Sequence, residues 1–298
     1  MRTAICLSII LISTASIRSQ DRKLKVFISV DMEGVAGVVS ADQLLPGSFE
    51  YERFRKFMTQ EALAAIEGAK QAGATEFVVT DAHGNEQNLL IEQFPPEVRI
   101  VRGEPRPLGM MGGLDSSFAA AMFVGYHAST HNEKGVRAHT FSSARFTRVA
   151  INGHPVTEGA WNAAIAGDYN VPVIFVSGDD AAVAEVSAMI GPIETAETKR
   201  TLGFHAAETL TPDVADQLIR EKAAGAVRKI AGYKPYRVPG PITVDISFKS
   251  ITPVEAACYL KRVFTRTDSH SLRFVAKDMT EASDILSFLM SYRIDLEP

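Results

Sequence analysis

Cysteine is scarce in this sequence. The 298 residues include only Cys6 and Cys258. Two thiols are too few for a disulfide framework or for a zinc site built from thiolates. Any metal ion that this chain binds must therefore be held by histidine, aspartate and glutamate side chains.

An excess of positive charge is also missing. Lysine and arginine number 31 against 35 aspartates and glutamates, which gives a net charge of −4. Proteins that bind nucleic acids need clustered positive charge to neutralise phosphates. We therefore expect no nucleic-acid partner.

Several familiar catalytic signatures are absent from the sequence. It contains no G-x-S-x-G elbow, no P-loop, no G-x-G-x-x-G fingerprint and no H-E-x-x-H pair. These absences argue against an esterase of the elbow type, a P-loop ATPase, a dinucleotide-binding enzyme and a zincin protease.

Long apolar runs are lacking as well. The apolar run over 4–12 follows Arg2 and precedes small residues at 13–15, which is the pattern of a secretory signal and is too short for a membrane span. We expect residues 1–20 to be a signal peptide. The mature chain would then be exported to the periplasm or the extracellular space, without a membrane span. If this segment is not a working signal, the protein is cytoplasmic.

The body of the chain alternates between strand and helix patterns. Apolar residues make up 46% and charged residues 22% of the sequence, as in globular domains. Runs that are apolar on both faces, separated by helical patterns, indicate a mostly parallel sheet that is covered on both sides. We predict an α/β fold with a three-layer αβα domain over 24–192, whose main strands are 24–30, 77–80, 119–126 and 171–177.

The pattern changes from about Ile193. A helix is predicted from Thr211 to about 230, an alternating strand over 242–248, and a last helix capped by Thr280. We therefore predict a second, smaller α+β domain over 193–298.

Acidic and imidazole side chains collect where the predicted strands end. Asp31 and Glu33 follow the first strand, Asp81 and His83 follow the second, and His127 follows the third. Side chains two residues apart on an extended segment point the same way. Ligands of an open parallel sheet bind beyond the carboxyl ends of its strands. We therefore expect these side chains to meet.

A tight turn brings one more carboxylate to the same region. Asn152-Gly153 is typical of a two-residue hairpin turn, and its return arm leads to Glu158 at the start of a helical stretch. Two histidines and three carboxylates suit divalent zinc, manganese or cobalt. The predicted metal ligands are Asp31, Glu33, His83, His127 and Glu158.

The charge of this set favours two cations over one. Clustered carboxylates without cations would each carry a desolvation and repulsion cost of roughly several kcal/mol. With one divalent ion, the three carboxylates and the ion together keep a negative net charge, whereas with two divalent ions they do not. Two ions about 3.5–4 Å apart can activate a water molecule near neutral pH. Asp31, which is short and central, is the bridging candidate.

Other strand-end aspartates have simpler explanations. Asp81, Asp179 and Asp180 stand where an aspartate commonly caps the following turn or helix. Asp179 and Asp180 can also support the ligands from behind. His139 follows the His127 strand and is close to uninformative by itself.

Four short strings of residues resemble a known family. They are DMEG at 31–34, DAH at 81–83, GYHA at 125–128 and EG at 158–159. Their order and approximate spacing, from about 25 to 180, look like those of the D-aminopeptidase family of di-zinc metallopeptidases.

This resemblance implies a role for each residue of the set. Asp31 would bridge two zinc ions. Glu33 and His83 would complete one site, and His127 and Glu158 the other. His139 falls where the family has a catalytic histidine, which acts either as the nucleophile or as a general acid/base. The resemblance also implies release of N-terminal D-amino acids from short peptides and assembly into a ring-shaped homo-oligomer.

Three functions remain as hypotheses. The preferred one is a metal-dependent aminopeptidase that works through a water activated by two zinc ions or through a catalytic histidine. The second is a magnesium-dependent phosphatase with an aspartate nucleophile, which would need aspartate in place of Glu33 and leaves His83, His127 and Glu158 without a role. The third is an exported solute-binding protein, which has no evident need for three clustered carboxylates.

Overall fold

The computed structural model describes residues 24–292. The predicted signal peptide at 1–20 lies outside the described residues. Within the described range, strands form one sheet of seven and one of five. The strands are β1 (Lys25–Val30), β2 (Glu76–Asp81), β3 (Val98–Val101), β4 (Ala120–Tyr126), β5 (Phe146–Ile151), β6 (His154–Pro155), β7 (Val173–Asp179), β8 (Glu194–Gly203), β9 (Ala206–Thr209), β10 (Ile242–Phe248), β11 (Thr265–Asp268) and β12 (Ser271–Ala276).

Helices connect most of these strands. Short 3-10 turns also occur at Ile91–Gln93, Gly109–Met111 and Ile230–Gly232. The α-helices are α1 (Ala41–Leu44), α2 (Tyr51–Gln71), α3 (Glu158–Asp168), α4 (Asp180–Ile190), α5 (Pro212–Arg228), α6 (Ile251–Ala257) and α7 (Met279–Ser291).

The larger sheet has the order β3-β2-β1-β4-β7-β8-β9. All its pairings are parallel except that of β8 with β9. Side chains of β1 alternate between two buried clusters: Val26 and Ile28 pack with α2 and α5, whereas Phe27 packs on the α3 side. A sheet with helices on both faces was predicted, and this part of the fold class is confirmed.

The smaller sheet is antiparallel, with the order β11-β12-β10-β5-β6. The predicted hairpin is present, with left-handed φ values of 50° at Asn152 and 85° at Gly153. Val244 of β10 and Phe27 of β1 belong to the same buried cluster. The smaller sheet therefore shares its core with one face of the larger one, because α3 and α7 pack between them.

The two sheets do not divide the chain at residue 193. β8 and β9 follow that position yet extend the larger sheet, and α5 packs against α2 on its face. β5 and β6 precede it yet belong to the smaller sheet, because β5 pairs with β10. The expected domains over 24–192 and 193–298 are therefore interleaved in the structure.

Helix caps show a smaller difference from expectation. The last helix begins after Asp278, whose side chain accepts a hydrogen bond from the Glu281 N–H, and not after Thr280. An aspartate at the N-cap satisfies an otherwise free N–H group just as threonine would.

None of the helices between residues 24 and 292 combines the length and the apolar character that crossing a membrane requires.

Candidate metal centre

The site lies where the strand order of the larger sheet changes direction. From β1 the chain moves to β2 and β3 on one side and then to β4 on the other. Ligands bind at such a switch point, beyond the carboxyl ends of the strands. Asp31 directly follows β1 and His127 directly follows β4, so both lie at this point.

Glycines allow the backbones to approach closely here. A Cβ atom added to Gly34 or to Gly178 would lie 2.1 Å from the carbonyl oxygen of Tyr126. Gly125 has a left-handed φ of 71°, and an added Cβ would lie 2.3 Å from the carbonyl oxygen of Asp31. Only glycine tolerates such contacts without a backbone shift. This packing holds the segment after β1 against the end of β4.

One group of donors forms around His83. Its Nδ1 lies 2.9 Å from Oε2 of Glu33 and 3.3 Å from Oδ1 of Asp31. Its Nε2 lies 3.1 Å from the carbonyl oxygen of Leu44. Because a carbonyl oxygen only accepts, Nε2 carries the proton and the neutral ring presents the Nδ1 lone pair to the two carboxylates.

A second group forms around His127. Its Nε2 lies 3.4 Å from Oδ2 of Asp31 and 3.3 Å from Oε2 of Glu158. Its Nδ1 donates to the carbonyl oxygen of Ala128, which leaves Nε2 as the free lone pair. Nε2 is buried and has no hydrogen-bond partner within residues 24–292. Asp31 therefore directs one oxygen to each histidine.

His139 lies beside the second group. Its ring stacks on His127 with centroids 4.0 Å apart and 10° between the planes. Its Nδ1 donates to the carbonyl oxygen of Arg137, and its Nε2 lies 3.8 Å from Oε1 of Glu158. The neutral ring therefore holds an acceptor nitrogen at the edge of the donor set.

Electrostatics show that this cluster needs positive charge. Burial and the Glu33 carboxylate raise the pKa of Asp31. Burial by itself would lower the pKa of His83, but the Glu33 and Asp31 carboxylates raise it well above its ordinary value. Glu158 and Asp31 overcome burial in the same way and raise the pKa of His127. A divalent cation supplies the positive charge that a proton would otherwise supply at these nitrogens.

The distances fit metal ligands. Donor atoms around one tetrahedral zinc ion lie about 3.3 Å apart, because each bond is about 2.0–2.1 Å long. Three of the imidazole-to-carboxylate distances are 3.3, 3.3 and 3.4 Å. The donor atoms of Asp31, Glu33 and His83 lie within 4.8 Å of one another, as do those of His127, His139 and Glu158. The structure thus brings together all five predicted ligands, with His139 beside them.

A cavity of about 430 Å³ opens above the donor set. The loops after β1 and β2 form part of its wall, and the segment over 104–110 forms another part. A further part of the wall comes from α7, through Leu286 and Met290. A ligand in this cavity would therefore contact loops and helices, because none of the residues that line it lies in a strand.

Asp81 does not face the metal cluster. It accepts hydrogen bonds from the backbone N–H groups of Asn88 and Leu89 and from the side-chain amide of Asn88, at 2.5, 2.7 and 2.8 Å. The same amide donates to the carbonyl oxygen of His83, 2.6 Å away. Asp81 therefore organises the loop that carries His83, as a strand-end aspartate commonly does.

Asp179 and Asp180 also serve as local acceptors. Asp179 caps α4 by accepting from the Ala182 N–H, and its other oxygen accepts from Val136 at 3.1 Å. Asp180 accepts two hydrogen bonds from Thr201. The capping role is confirmed for Asp179, whereas Asp180 bonds to β8 instead of capping a helix. The bond from Val136 to Asp179 steadies the segment that leads to His139.

Comparisons with known proteins agree on one family. The profile of the family described as D-aminopeptidase matches residues 24–288. The D-aminopeptidase of Bacillus subtilis strain 168 is 37% identical over 261 residues, which are 87% of this chain and 94% of that protein. This chain belongs to the D-aminopeptidase family. Among solved structures, the zinc-dependent D-aminopeptidase DppA of Bacillus subtilis, described as a self-compartmentalizing protease, gives a TM-score of 0.85 at 34% identity and covers 91% of this chain and 98% of its own.

Family membership does not favour the two alternative functions. An aspartate-nucleophile phosphatase would leave His83, His127 and Glu158 idle, whereas these side chains converge on Asp31. A solute-binding protein would need no such donor set. The family supports the peptidase hypothesis instead.

The sequence patterns did not predict one buried residue that supports the site of this D-aminopeptidase family member. Lys199 on β8 is 2% exposed, and its ammonium group donates to the backbone carbonyls of Glu33, Val35 and Val38. Nothing near Lys199 in the sequence indicates this contact, because the carbonyls belong to a loop that is distant along the chain.

Proposed function

We propose that this protein is a zinc-dependent aminopeptidase that removes the N-terminal residue, of D configuration, from short peptides. Manganese or cobalt would suit the same donors. The observation that carries the proposal is that Asp31, which lines a cavity, directs one carboxylate oxygen to His83 and the other to His127. Membership of the D-aminopeptidase family supports the substrate class.

The ligand assignment follows from which atoms face each other. Asp31 would bridge two ions, with Glu33 and His83 on one side and His127 and Glu158 on the other. When bound, the ions would lower the pKa of coordinated water and polarise the scissile carbonyl. Backbone carbonyls fix the tautomers of both histidines, so each imidazole presents a lone pair without reorganisation.

His139 would hold or accept a proton at Nε2. The carbonyl of Arg137 keeps the proton of the neutral ring on Nδ1, and stacking on His127 holds the ring at the edge of the cluster. The geometry accommodates a general acid/base and a nucleophile equally. Rapid denaturation during turnover, followed by mass spectrometry, separates them, because only a nucleophile leaves an acyl group on His139.

Metal analysis and a substrate pair test the proposal. The purified protein should contain two zinc ions per chain and should hydrolyse D-alanyl amides faster than L-alanyl amides. His127→Ala and Glu33→Ala should each abolish turnover while the circular dichroism spectrum is retained, because each removes a ligand. His154→Ala, at an exposed residue of β6 next to the hairpin turn, is the control and should change neither quantity.

Two results would overturn the proposal. One is wild-type protein that binds none of zinc, manganese and cobalt. The other is a metal-loaded protein that cleaves neither enantiomer of the amide.

We infer that the chain assembles into a ring-shaped homo-oligomer. The Bacillus subtilis relative is described as self-compartmentalizing. Phe49, Leu202 and Tyr259 are large apolar side chains with exposed fractions of 93%, 65% and 74%, and self-association would cover such groups. Light scattering coupled to gel filtration should give a mass that is a multiple of the chain mass, and a monomer would contradict the inference.

We propose export of the mature chain, for which the support is the charged start and short apolar run within residues 1–20. N-terminal sequencing of protein from its own cells should begin near residue 21. A chain recovered with its apolar run intact would contradict export.

A further inference from the structure

Helix α3 presents a second polar group to the cavity. Glu158 begins this helix, and Asn162 follows one turn later, so both side chains lie on the same face. Asn162 is 1% exposed and lines the cavity. A buried amide in such a position must find partners for its donors and its acceptor.

A chain of hydrogen bonds fixes the orientation of this amide. The Ser29 hydroxyl donates to the carbonyl oxygen of Met110, 2.9 Å away, because that oxygen only accepts. The single Ser29 proton is thereby used, so Tyr126 must donate to Ser29 across the 2.8 Å between their hydroxyls. Tyr126 in turn accepts from Nδ2 of Asn162 at 2.9 Å. If the Asn162 amide were flipped, its oxygen would face the Tyr126 hydroxyl, whose proton is already donated to Ser29.

The amide oxygen of Asn162 therefore points away from Tyr126. Nδ2 also lies 3.4 Å from the sulfur of Met110, which suits a donor and disfavours an oxygen. No group within residues 24–292 donates to Oδ1, and this oxygen is not closed off from solvent. The chain thus holds a hydrogen-bond acceptor, in one fixed orientation, open to the cavity.

We propose that Oδ1 of Asn162 accepts a hydrogen bond from the α-ammonium group of the substrate's N-terminal residue and makes the site specific for a free amino terminus. This inference rests on the proposed aminopeptidase function. The ammonium group is the cationic N–H donor that every peptide with a free amino terminus carries.

A fixed buried acceptor excludes substrates without the donor. When a site is built to bind an N–H group, an analogue that lacks it leaves the acceptor unpaired and is rejected strongly. Asn162 would act in this way on N-acylated peptides. It is a specificity-determining residue, and the carboxylates and histidines of the metal centre do not depend on it.

The test compares two product-like inhibitors that differ in the amino group, D-alanine and propionate. Their inhibition constants are measured against hydrolysis of a D-alanyl amide. In Asn162→Leu the preference for D-alanine over propionate should fall about tenfold or more, since a hydrogen bond to a charged group is lost. Zinc content should stay that of wild type, and the KM for the amide should rise, because a contact to the bound substrate is lost.

Two further variants keep the proposal falsifiable if Asn162→Leu does not fold. Asn162→Asp is isosteric and adds a negative charge, so it should raise the preference for D-alanine over propionate. Tyr126→Phe removes the acceptor that orients the amide and should lower this preference. An unchanged or inverted preference in a folded, zinc-loaded variant would overturn the assignment.

A second substrate pair distinguishes the ammonium group from the scissile N–H. The ratio of KM values for an alanyl amide and the matching alanyl ester should be the same in wild type and Asn162→Leu. A change in this ratio would indicate that Asn162 contacts the scissile N–H instead of the ammonium group, and it would overturn the proposal. Wild-type protein without turnover would overturn the proposed function, whereas active protein with unchanged inhibitor preference would overturn only the role of Asn162.

Discussion

The ammonium group of Lys199 lies 2.5 Å from the backbone carbonyl oxygen of Glu33. It also donates to the carbonyls of Val35 and Val38, at 2.9 and 2.7 Å. The loop that carries Glu33 therefore wraps around a buried cation from β8. A single side chain thus pairs with three backbone oxygens, of which, within residues 24–292, only that of Val35 also accepts a backbone hydrogen bond, from the Val38 N–H at 3.2 Å.

Lys199→Met should destabilise this loop and weaken metal binding at Glu33. The substitution keeps an unbranched side chain but removes the ammonium group that donates to the carbonyls of Glu33 and Val38, so we expect the free energy of unfolding to fall by at least about 2 kcal/mol. Urea unfolding and zinc analysis measure the two effects. Lys56→Met, on an exposed face of α2, is the matched control. Unchanged zinc content in Lys199→Met would contradict a positioning role.

Gly34→Ala should disturb the joint between β1 and β4. The new methyl group would meet the carbonyl oxygen of Tyr126 at 2.1 Å, and this oxygen belongs to the backbone and cannot move alone. We expect a stability loss of about 2 kcal/mol or more and reduced zinc binding, because His127 follows Tyr126 directly. Thermal unfolding compares it with Gly203→Ala, where no atom lies within 4 Å of the new methyl. Equal melting temperatures would contradict this interpretation.

Asp81→Asn should cost stability and leave the zinc content unchanged. Asp81 accepts three hydrogen bonds, and an asparagine places an N–H group against one of these donors. We expect a loss of about 1–3 kcal/mol in the free energy of unfolding. Asp31→Asn is the matched comparison and should lose zinc, because it changes the central donor. Loss of zinc from Asp81→Asn would contradict this assignment and indicate that Asp81 is a metal ligand.

Glu61→Gln should make the protein less sensitive to alkaline pH. Burial raises the pKa of Glu61 to about 8, with Asp216 on α5 raising it further and Lys199 on β8 opposing the shift. The folded state therefore binds more protons than the unfolded state between about pH 4.5 and 8, so stability falls as the pH rises through this window. Glutamine keeps an acceptor for the Ala36 N–H, which lies 2.8 Å from Oε1.

Urea unfolding at pH 5 and pH 8.5 measures this effect. The variant should gain at least about 1 kcal/mol relative to wild type at the higher pH and little at the lower one. Glu133→Gln, at an exposed loop residue, should show no such difference. The same shift in both variants would contradict the role of Glu61.

Sequence patterns predicted the elements whose signals are local. β1, β2, β4 and β7 are apolar on both faces, and the donors that follow them stand directly at their ends. Strand ends of a parallel sheet meet at one edge, so convergence of Asp31, His83 and His127 follows from the order of the elements. The predicted fold class rests on the apolar runs of these same strands.

The missed features depend on contacts between distant segments. β8 alternates buried and exposed residues and contains several charged ones, so its sequence does not read as part of a covered sheet. Burial of Lys199 follows only once the loop over 33–38 is placed against β8. Pairing of β5 with β10 likewise joins segments with no local signal for each other, which is why the sheets do not follow the expected boundary.

Helix α7 forms one wall of the cavity although it lies more than a hundred residues beyond Glu158 along the chain. Leu286 and Met290 line the cavity without belonging to the elements that carry the metal donors. Variation at these positions can therefore reshape which residues are accepted while the hydrolytic apparatus is inherited intact. Substitutions in α7 can therefore adapt the site to new peptides. A small library of α7 variants is the place to begin engineering substrate preference.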